Sequence, residues 1–92
     1  MPKEKDASPA PIVRAYAETL KRKRLHAGLS QTRLAEKAGV SLRYVAALEA
    51  GSYQPTITVM LAVAQAVGLT LAEMMENVEE SMKADPAAGD RA

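Results

Sequence analysis

The chain has 92 residues, which is short enough for a single domain, and it is 48% hydrophobic and 25% charged, as is typical of a globular protein. It has no cysteine and one histidine, His26, so disulfides, a cysteine nucleophile and a metal site built from several histidines are excluded. Its first residues are charged and lack an apolar stretch, so no signal sequence is expected, and no apolar run is long enough to cross a bilayer. Three tyrosines as the only aromatic residues, together with many alanines, favour helices over strands. The composition therefore predicts a helical cytoplasmic protein without a metal or other cofactor.

The charges are divided unevenly along the chain, although the formal net charge is only +1. Residues 12–55 contain eight basic and three acidic residues, whereas residues 56–92 contain two basic and six acidic residues. A basic N-terminal half is what a surface that binds a polyanion needs. The alternative is a chance asymmetry on solvated helices, and charge alone does not decide between them.

The two ends of the chain differ in composition from its centre. Residues 1–11 contain three prolines among charged and small residues, and residues 84–92 are also rich in small residues. These compositions predict a disordered N-terminal arm and a disordered tail. One folded domain is therefore predicted over residues 12–83.

Five helices are predicted inside this domain from the residues at their ends. Helix 1 covers residues 12–27. The next four helices each follow a serine or threonine that can cap the first backbone N–H groups, at Ser30, Ser41, Thr56 and Thr70. The first four helices are each followed by a glycine, at Gly28, Gly39, Gly51 and Gly68. The prediction is an all-α fold.

Helices 2 and 3 have the pattern of a helix-turn-helix unit. They meet at Gly39, which can adopt the positive φ that a sharp turn requires. Ala35 is small where the helices are expected to cross, and Val45 and Leu48 of helix 3 face inward. In such a unit the first helix braces against the DNA backbone while the second lies in the major groove.

Residues 13–76 resemble the lambda-repressor-like family of helix-turn-helix proteins, also called the Xre or Cro/cI type. The resemblance is carried by Leu20, Arg24, residues 28–31, residues 34–41, Tyr44, Val45, Leu48, Glu49, Gly51, Pro55, Leu61, Ala64, Gly68 and residues 71–73. It implies a compact five-helix bundle in which helices 2 and 3 bind double-stranded DNA. It also implies that Arg24 and Glu49 form a buried structural ion pair between helices 1 and 3.

Two groups of DNA contacts are expected. The residues expected to read bases from helix 3 are Ser41, Leu42, Arg43, Ala46 and Ala47. The residues expected to contact phosphates are Gln31, Arg33, Tyr44 and Lys21. Among the phosphate contacts, Gln31 and Tyr44 match positions of the family, whereas Arg33 and Lys21 are assigned from their basic charge, and the family commonly has an acidic residue at the position of Arg33. Arginine in helix 3 can make a bidentate contact with guanine.

Some of these residues have a second interpretation. Gln31 could be a plain solvent-exposed residue, and Arg33 could instead pair with Glu36. Tyr44 could be a half-buried packing residue, and Lys21 could lie on a solvated face. Arg43 is the only long polar side chain on the outward face of helix 3, so high sequence specificity is in doubt.

Helices 4 and 5 carry more apolar positions than one core-facing stripe requires. Four apolar residues of helix 5 are spaced by 4, 3 and 4 positions, like a short heptad seam: Leu71, Met75, Val78 and Met82. This spacing predicts an extended helix 5 that packs against a second subunit. The predicted dimer interface consists of Val59, Met60, Val63, Leu71, Met75, Val78 and Met82. The alternative is a long amphipathic helix that folds back on its own domain.

The functional prediction is a homodimeric transcription regulator from a bacterium or phage, a repressor that binds an inverted repeat on the nucleoid. A regulator of a restriction–modification system, called a controller protein, is a variant of this hypothesis. The alternative class is an antitoxin-like subunit whose protein partner binds the acidic C-terminal half. Catalysis is not expected, because Ser30 and Ser41 are better explained as helix caps than as nucleophiles.

Overall fold

The computed structural model describes residues 10–84 and contains five α-helices. They are α1 (Pro11–His26), α2 (Gln31–Ala38), α3 (Leu42–Glu49), α4 (Ile57–Ala66) and α5 (Leu71–Ala84). No strand occurs within residues 10–84. The predicted all-α bundle, with its helix-turn-helix unit at α2 and α3, is therefore confirmed.

Both predicted boundaries of the domain need a correction of one residue. Pro11, assigned to the arm, is the first residue of α1, where its fixed φ suits a helix and its missing N–H costs no hydrogen bond. Ala84, assigned to the tail, is the last residue of α5. The rest of the predicted arm and tail, residues 1–9 and 85–92, lies outside the described residues.

Local capping explains why the helices begin where they do. The hydroxyl groups of Ser30, Ser41 and Thr56 each accept a hydrogen bond from the backbone N–H three residues later, at 3.0–3.2 Å. At α5 the bonds are reciprocal, since Thr70 Oγ1 accepts from the Glu73 N–H while Glu73 Oε1 accepts from the Thr70 N–H. These four predicted caps are confirmed.

The core lies where α1 packs against α3 and α5, and where α4 packs against α2 and α5. Its largest fully buried side chains include Leu20, Leu34, Leu48 and Met74, one from each of α1, α2, α3 and α5. Because α1 contacts both α3 and α5, it joins the helix-turn-helix unit to the C-terminal helix.

Two buried polar side chains of α1 were not foreseen from the sequence. Tyr16 and Thr19 are buried, and within the described part of the chain neither hydroxyl group has a hydrogen-bond partner. Burial raises the pKa of Tyr16 to about 12, and the nearby Tyr44 adds to the effect. The Tyr16 phenol therefore stays protonated at any physiological pH.

Within residues 10–84, no single helix is long and apolar enough to cross a membrane; α4 and α5, bent by 96° to each other, meet the length and composition criteria only as a pair.

Candidate nucleic-acid interface

The turn between α2 and α3 sets the direction in which α3 leaves α2. Gly39 has φ +75° and ψ +30°, the left-handed conformation that ends α2, and its N–H group bonds to the carbonyl groups of Ala35 and Glu36. A Cβ atom placed on Gly39 would meet nothing within 4 Å. The requirement for glycine is therefore one of backbone conformation and not of space.

The structure places the predicted base-reading residues on one side of α3. Ser41, Leu42, Arg43 and Ala46 are exposed, and Ala47 is half-buried. The opposite side of the same helix, with Val45 and Leu48, is buried in the core. The exposed side can enter a groove of DNA without disturbing the packing of α3.

Of the predicted phosphate contacts, two lie at the start of α2. Gln31 is half-buried, and its Nε2 donates a hydrogen bond to Oε1 of Glu49 at 3.0 Å. Arg33 is exposed and pairs with Glu36, with 3.0 Å between Nη1 and Oε1. That pairing was the second interpretation of Arg33, and because both side chains are about 60% exposed it contributes little stability.

The other two predicted phosphate contacts lie elsewhere on the surface. Lys21 is exposed on α1. Tyr44 is half-buried against the core, and its ring lies 5.2 Å from the ring of Tyr53 with a tilt of 54°. Tyr53 is 50% exposed, and its contact with Tyr44 was missed because the two residues lie in different elements. The two rings therefore form an aromatic contact between α3 and the loop that follows it.

A buried ion pair joins α1 to α3. Arg24 donates from Nε to Oε2 of Glu49 at 2.6 Å and from Nη2 to Oε1 at 3.1 Å, so the contact is bidentate. Its Nη1 donates to the Leu29 carbonyl oxygen at 2.8 Å. The side chains of Arg24 and Glu49 are only 9% and 4% exposed. One guanidinium group thus connects α1, the α1–α2 loop and α3.

The predicted dimer interface needs a correction. Val63 and Val78 are fully buried in the core of their own chain, so they cannot contact a second subunit. Spacing alone could not show this, since the same periodicity describes a core-facing stripe and an interface. The remaining members, each only partly buried, are Val59, Met60, Leu71, Met75 and Met82.

A different apolar surface lies on the outward side of α4. Residues 51–72 contain no charged side chain, although a quarter of the whole chain is charged. On α4, Ile57 is 71% exposed and Leu61 is 43% exposed, one turn apart. Ile57 and Leu61 therefore make this side of α4 a candidate interaction site. Lys37 of α2 lies at its margin, beside Ala62 and Gln65.

No arrangement of residues within the described chain suggests a metal centre, since no group of three or more His, Asp or Glu side chains is placed to hold an ion.

Comparison with known proteins identifies relatives by both sequence and fold. The profile of a helix-turn-helix family matches residues 20–74, which is more than half of the chain. No curated protein sequence matches the chain.

Several solved structures share the fold. The clp gene regulator ClgR from Corynebacterium glutamicum is 28% identical, with a TM-score of 0.80 over 89% of this chain and 88% of that chain. The restriction–modification controller protein C.AhdI from Aeromonas hydrophila is 27% identical, with a TM-score of 0.65 over 67% and 94% of the two chains. The controller protein C.Esp1396I, solved as a tetramer with its natural 35 base-pair operator, has the same fold at 20% identity, with a TM-score of 0.72 over 76% and 92%.

Proposed function

The chain belongs to the helix-turn-helix family of lambda-repressor-like, or Xre-type, DNA-binding transcription regulators, and we propose that it binds a specific sequence in double-stranded DNA as a homodimer. The observation that carries this proposal is the exposed side of α3, with Leu42, Arg43 and Ala46, in the basic half of the chain. We further propose that it is a bacterial or phage repressor that acts on the nucleoid in the cytoplasm.

Base reading is assigned to α3 in the major groove. Arg43 is exposed and can donate two hydrogen bonds to a guanine. Leu42 and Ala46 have no side-chain hydrogen-bonding groups, so their contribution is apolar contact with thymine methyl groups. Ser41 Oγ already accepts the Tyr44 N–H and keeps its own proton for a base or a phosphate, and Ala47, being half-buried, is the least accessible of the set.

Phosphate contacts are assigned to the rim of this surface. The helix dipole favours an anion at the start of α2, where Gln31 and Arg33 lie. Arg33 can leave Glu36 for a phosphate at little cost, because that pair is exposed to solvent. Tyr44 and Lys21 complete the proposed set on either side.

A homodimer is proposed because α4 offers an uncharged surface. Symmetric contacts bring identical patches together, so a charged patch would repel its copy while an uncharged one does not. We assign the interface to Ile57 and Leu61, together with those predicted residues that are still partly accessible: Val59, Met60, Leu71, Met75 and Met82. Two copies of α3 would then read half-sites of an inverted repeat about one DNA turn apart, ~34 Å.

Two other functions are consistent with particular observations. A role as a controller protein is supported by the likeness to C.AhdI at 27% identity. An antitoxin-like role is supported by α5, whose outer side presents the exposed Glu76, Glu79 and Glu80 to a basic protein partner. In the second case DNA binding would depend on that partner.

The test is selection of bound sequences from random duplex DNA, with the wild type and two variants in parallel. The wild type is expected to enrich an inverted repeat whose half-sites are centred ~10 base pairs apart. Arg43→Ala should lose the preference at one position in each half-site, whereas Lys21→Ala should keep the same motif and bind it more weakly. An unenriched pool from the wild type would reject specific binding by the protein alone and favour a partner-dependent function.

A further inference from the structure

The start of α2 and the buried ion pair are joined by one hydrogen bond. Oε1 of Glu49 accepts from Nη2 of Arg24 at 3.1 Å and from Nε2 of Gln31 at 3.0 Å, while Oε2 accepts only from Arg24. A pairing of Arg24 with Glu49 alone would be enough to join α1 to α3. The bond to Gln31 is additional, and it reaches a residue at the DNA-facing end of α2.

We propose that Glu49 is a positioning residue for DNA binding, which holds the carboxamide group of Gln31 in place for a phosphate. This proposal rests on the phosphate contact proposed above for Gln31. A carboxamide has two N–H donors. Glu49 takes one of them and leaves the other for a phosphate oxygen.

The surroundings of Gln31 suit this role. It is the first residue of α2, where the leading backbone N–H groups have no partner within the helix and the dipole attracts an anion. Ser30 Oγ accepts from the Arg33 N–H at 3.0 Å and keeps its own proton. The hydroxyl proton of Ser30, the first backbone N–H groups and the side chains of Gln31 and Arg33 are therefore the donors that can converge on a phosphate here.

The burial of Glu49 makes the restraint effective. Its side chain is only 4% exposed, so water competes poorly for its oxygen atoms. Without that bond, the Gln31 side chain would be mobile in the free protein and would become ordered only when DNA binds. The entropy lost at that step would lower the affinity for DNA. The positive charge of Arg24 also offsets the carboxylate, which would otherwise repel a phosphate.

A positioning role and a purely electrostatic role of Glu49 predict opposite changes in the affinity for DNA when Glu49 is replaced by Gln. Removing a negative charge from a DNA-binding protein strengthens binding when charge is all that matters. If Glu49 positions Gln31, the same substitution weakens binding. The amide would have one oxygen for three donors, Nε and Nη2 of Arg24 and Nε2 of Gln31, and that oxygen has two lone pairs and no charge. We expect a loss of about three- to tenfold, the effect of freeing one long polar side chain.

The experiment is a double-mutant cycle of Gln31→Ala and Glu49→Gln, with Glu36→Gln as the control. Affinity for a short mixed-sequence duplex is measured by fluorescence anisotropy across a salt series, at a temperature where circular dichroism shows every variant folded. Glu36→Gln removes the same charge as Glu49→Gln, but from a side chain that is 59% exposed. This control substitution should therefore leave the affinity for DNA unchanged or slightly higher. Gln31→Ala should lose about tenfold, as expected for a hydrogen bond to a charged group, with an unchanged salt slope because the residue is neutral.

The proposal requires that Glu49→Gln weakens binding when Gln31 is present and not when position 31 is alanine. Equal weakening in both backgrounds would assign Glu49 a structural role only and overturn the proposal. The proposal would also be overturned if Gln31→Ala bound DNA as tightly as the wild type, although the proposed DNA-binding function would still stand. A wild type that binds no duplex would instead reject the proposed function.

A measurement on the unaltered protein covers the case in which Glu49→Gln does not fold. The side-chain amide group of Gln31 should give a high heteronuclear NOE in NMR spectra, like the backbone, whereas the exposed Gln65 should not. A Gln31 amide as mobile as that of Gln65 would overturn the proposal without any substitution.

Discussion

Replacing Glu49 by alanine should cost the fold about 3–5 kcal/mol, the usual effect of removing one partner of a buried ion pair. The carboxylate accepts three hydrogen bonds, from two nitrogen atoms of Arg24 and from the amide of Gln31. After substitution, the guanidinium group of Arg24, with its side chain 9% exposed, would keep only the Leu29 carbonyl oxygen. At 4–8 °C per kcal/mol for a domain of this size, the midpoint of thermal unfolding should fall by roughly 12–40 °C.

The assay is thermal and urea unfolding followed by far-UV circular dichroism, with Glu36→Ala as the matched control. Glu36 also pairs with an arginine at 3.0 Å, but both side chains are exposed, so its loss should cost about 0–1 kcal/mol. A double variant, Arg24→Met with Glu49→Leu, should recover most of the stability because no buried charge is left unpaired. The reasoning would be refuted if Glu49→Ala melted within a few degrees of Glu36→Ala.

Three further predictions address other parts of the molecule. Because the pKa of Tyr16 is about 12 in the fold and about 10 in the unfolded chain, the wild type should lose up to ~1.4 kcal/mol of stability per pH unit as the pH rises from 10 to 12. Tyr16→Phe should remove that loss and leave neutral-pH stability unchanged or slightly higher, since the hydroxyl has no partner; equal alkaline slopes in urea titrations would contradict this. Leu61→Glu should make the protein monomeric in sedimentation experiments, whereas Leu25→Glu, which alters a 58% exposed leucine on α1, should not; two identical profiles would remove α4 from the interface. Gly39→Ala should cost about 1–2 kcal/mol in chemical denaturation because of its positive φ, and Gly39→Asn less; a wild-type midpoint for the alanine variant would show that the turn relaxes.

The helix starts and the turn, which the sequence predicted correctly, depend on neighbouring residues. The caps at Ser30, Ser41 and Thr56 are local, because each hydroxyl group bonds a backbone N–H only three residues away. The turn at Gly39 is equally local. Such features can be predicted from a single sequence since no distant part of the chain decides them.

The features that were missed depend on distant residues. Val78 fits a seam spaced by 4, 3 and 4 residues, but whether that seam faces α1 or a second subunit depends on how α5 packs. Tyr16 lies four residues before Leu20 on the same side of α1, and that spacing could have indicated its burial. The bond from Gln31 to Glu49 joins residues 18 positions apart, and no spacing rule predicts it.

The separation of the two sides of α3 has a consequence for how proteins of this kind change over generations. Leu42, Arg43 and Ala46 are exposed and contribute little to the core, so most substitutions there should change stability by less than about 0.5 kcal/mol. Val45 and Leu48, on the other side, are held by packing. If α3 reads bases as proposed, mutation can explore new DNA preferences at the exposed positions while the fold is preserved, and a duplicated copy of such a gene can diverge toward another target without compensating changes elsewhere in the chain.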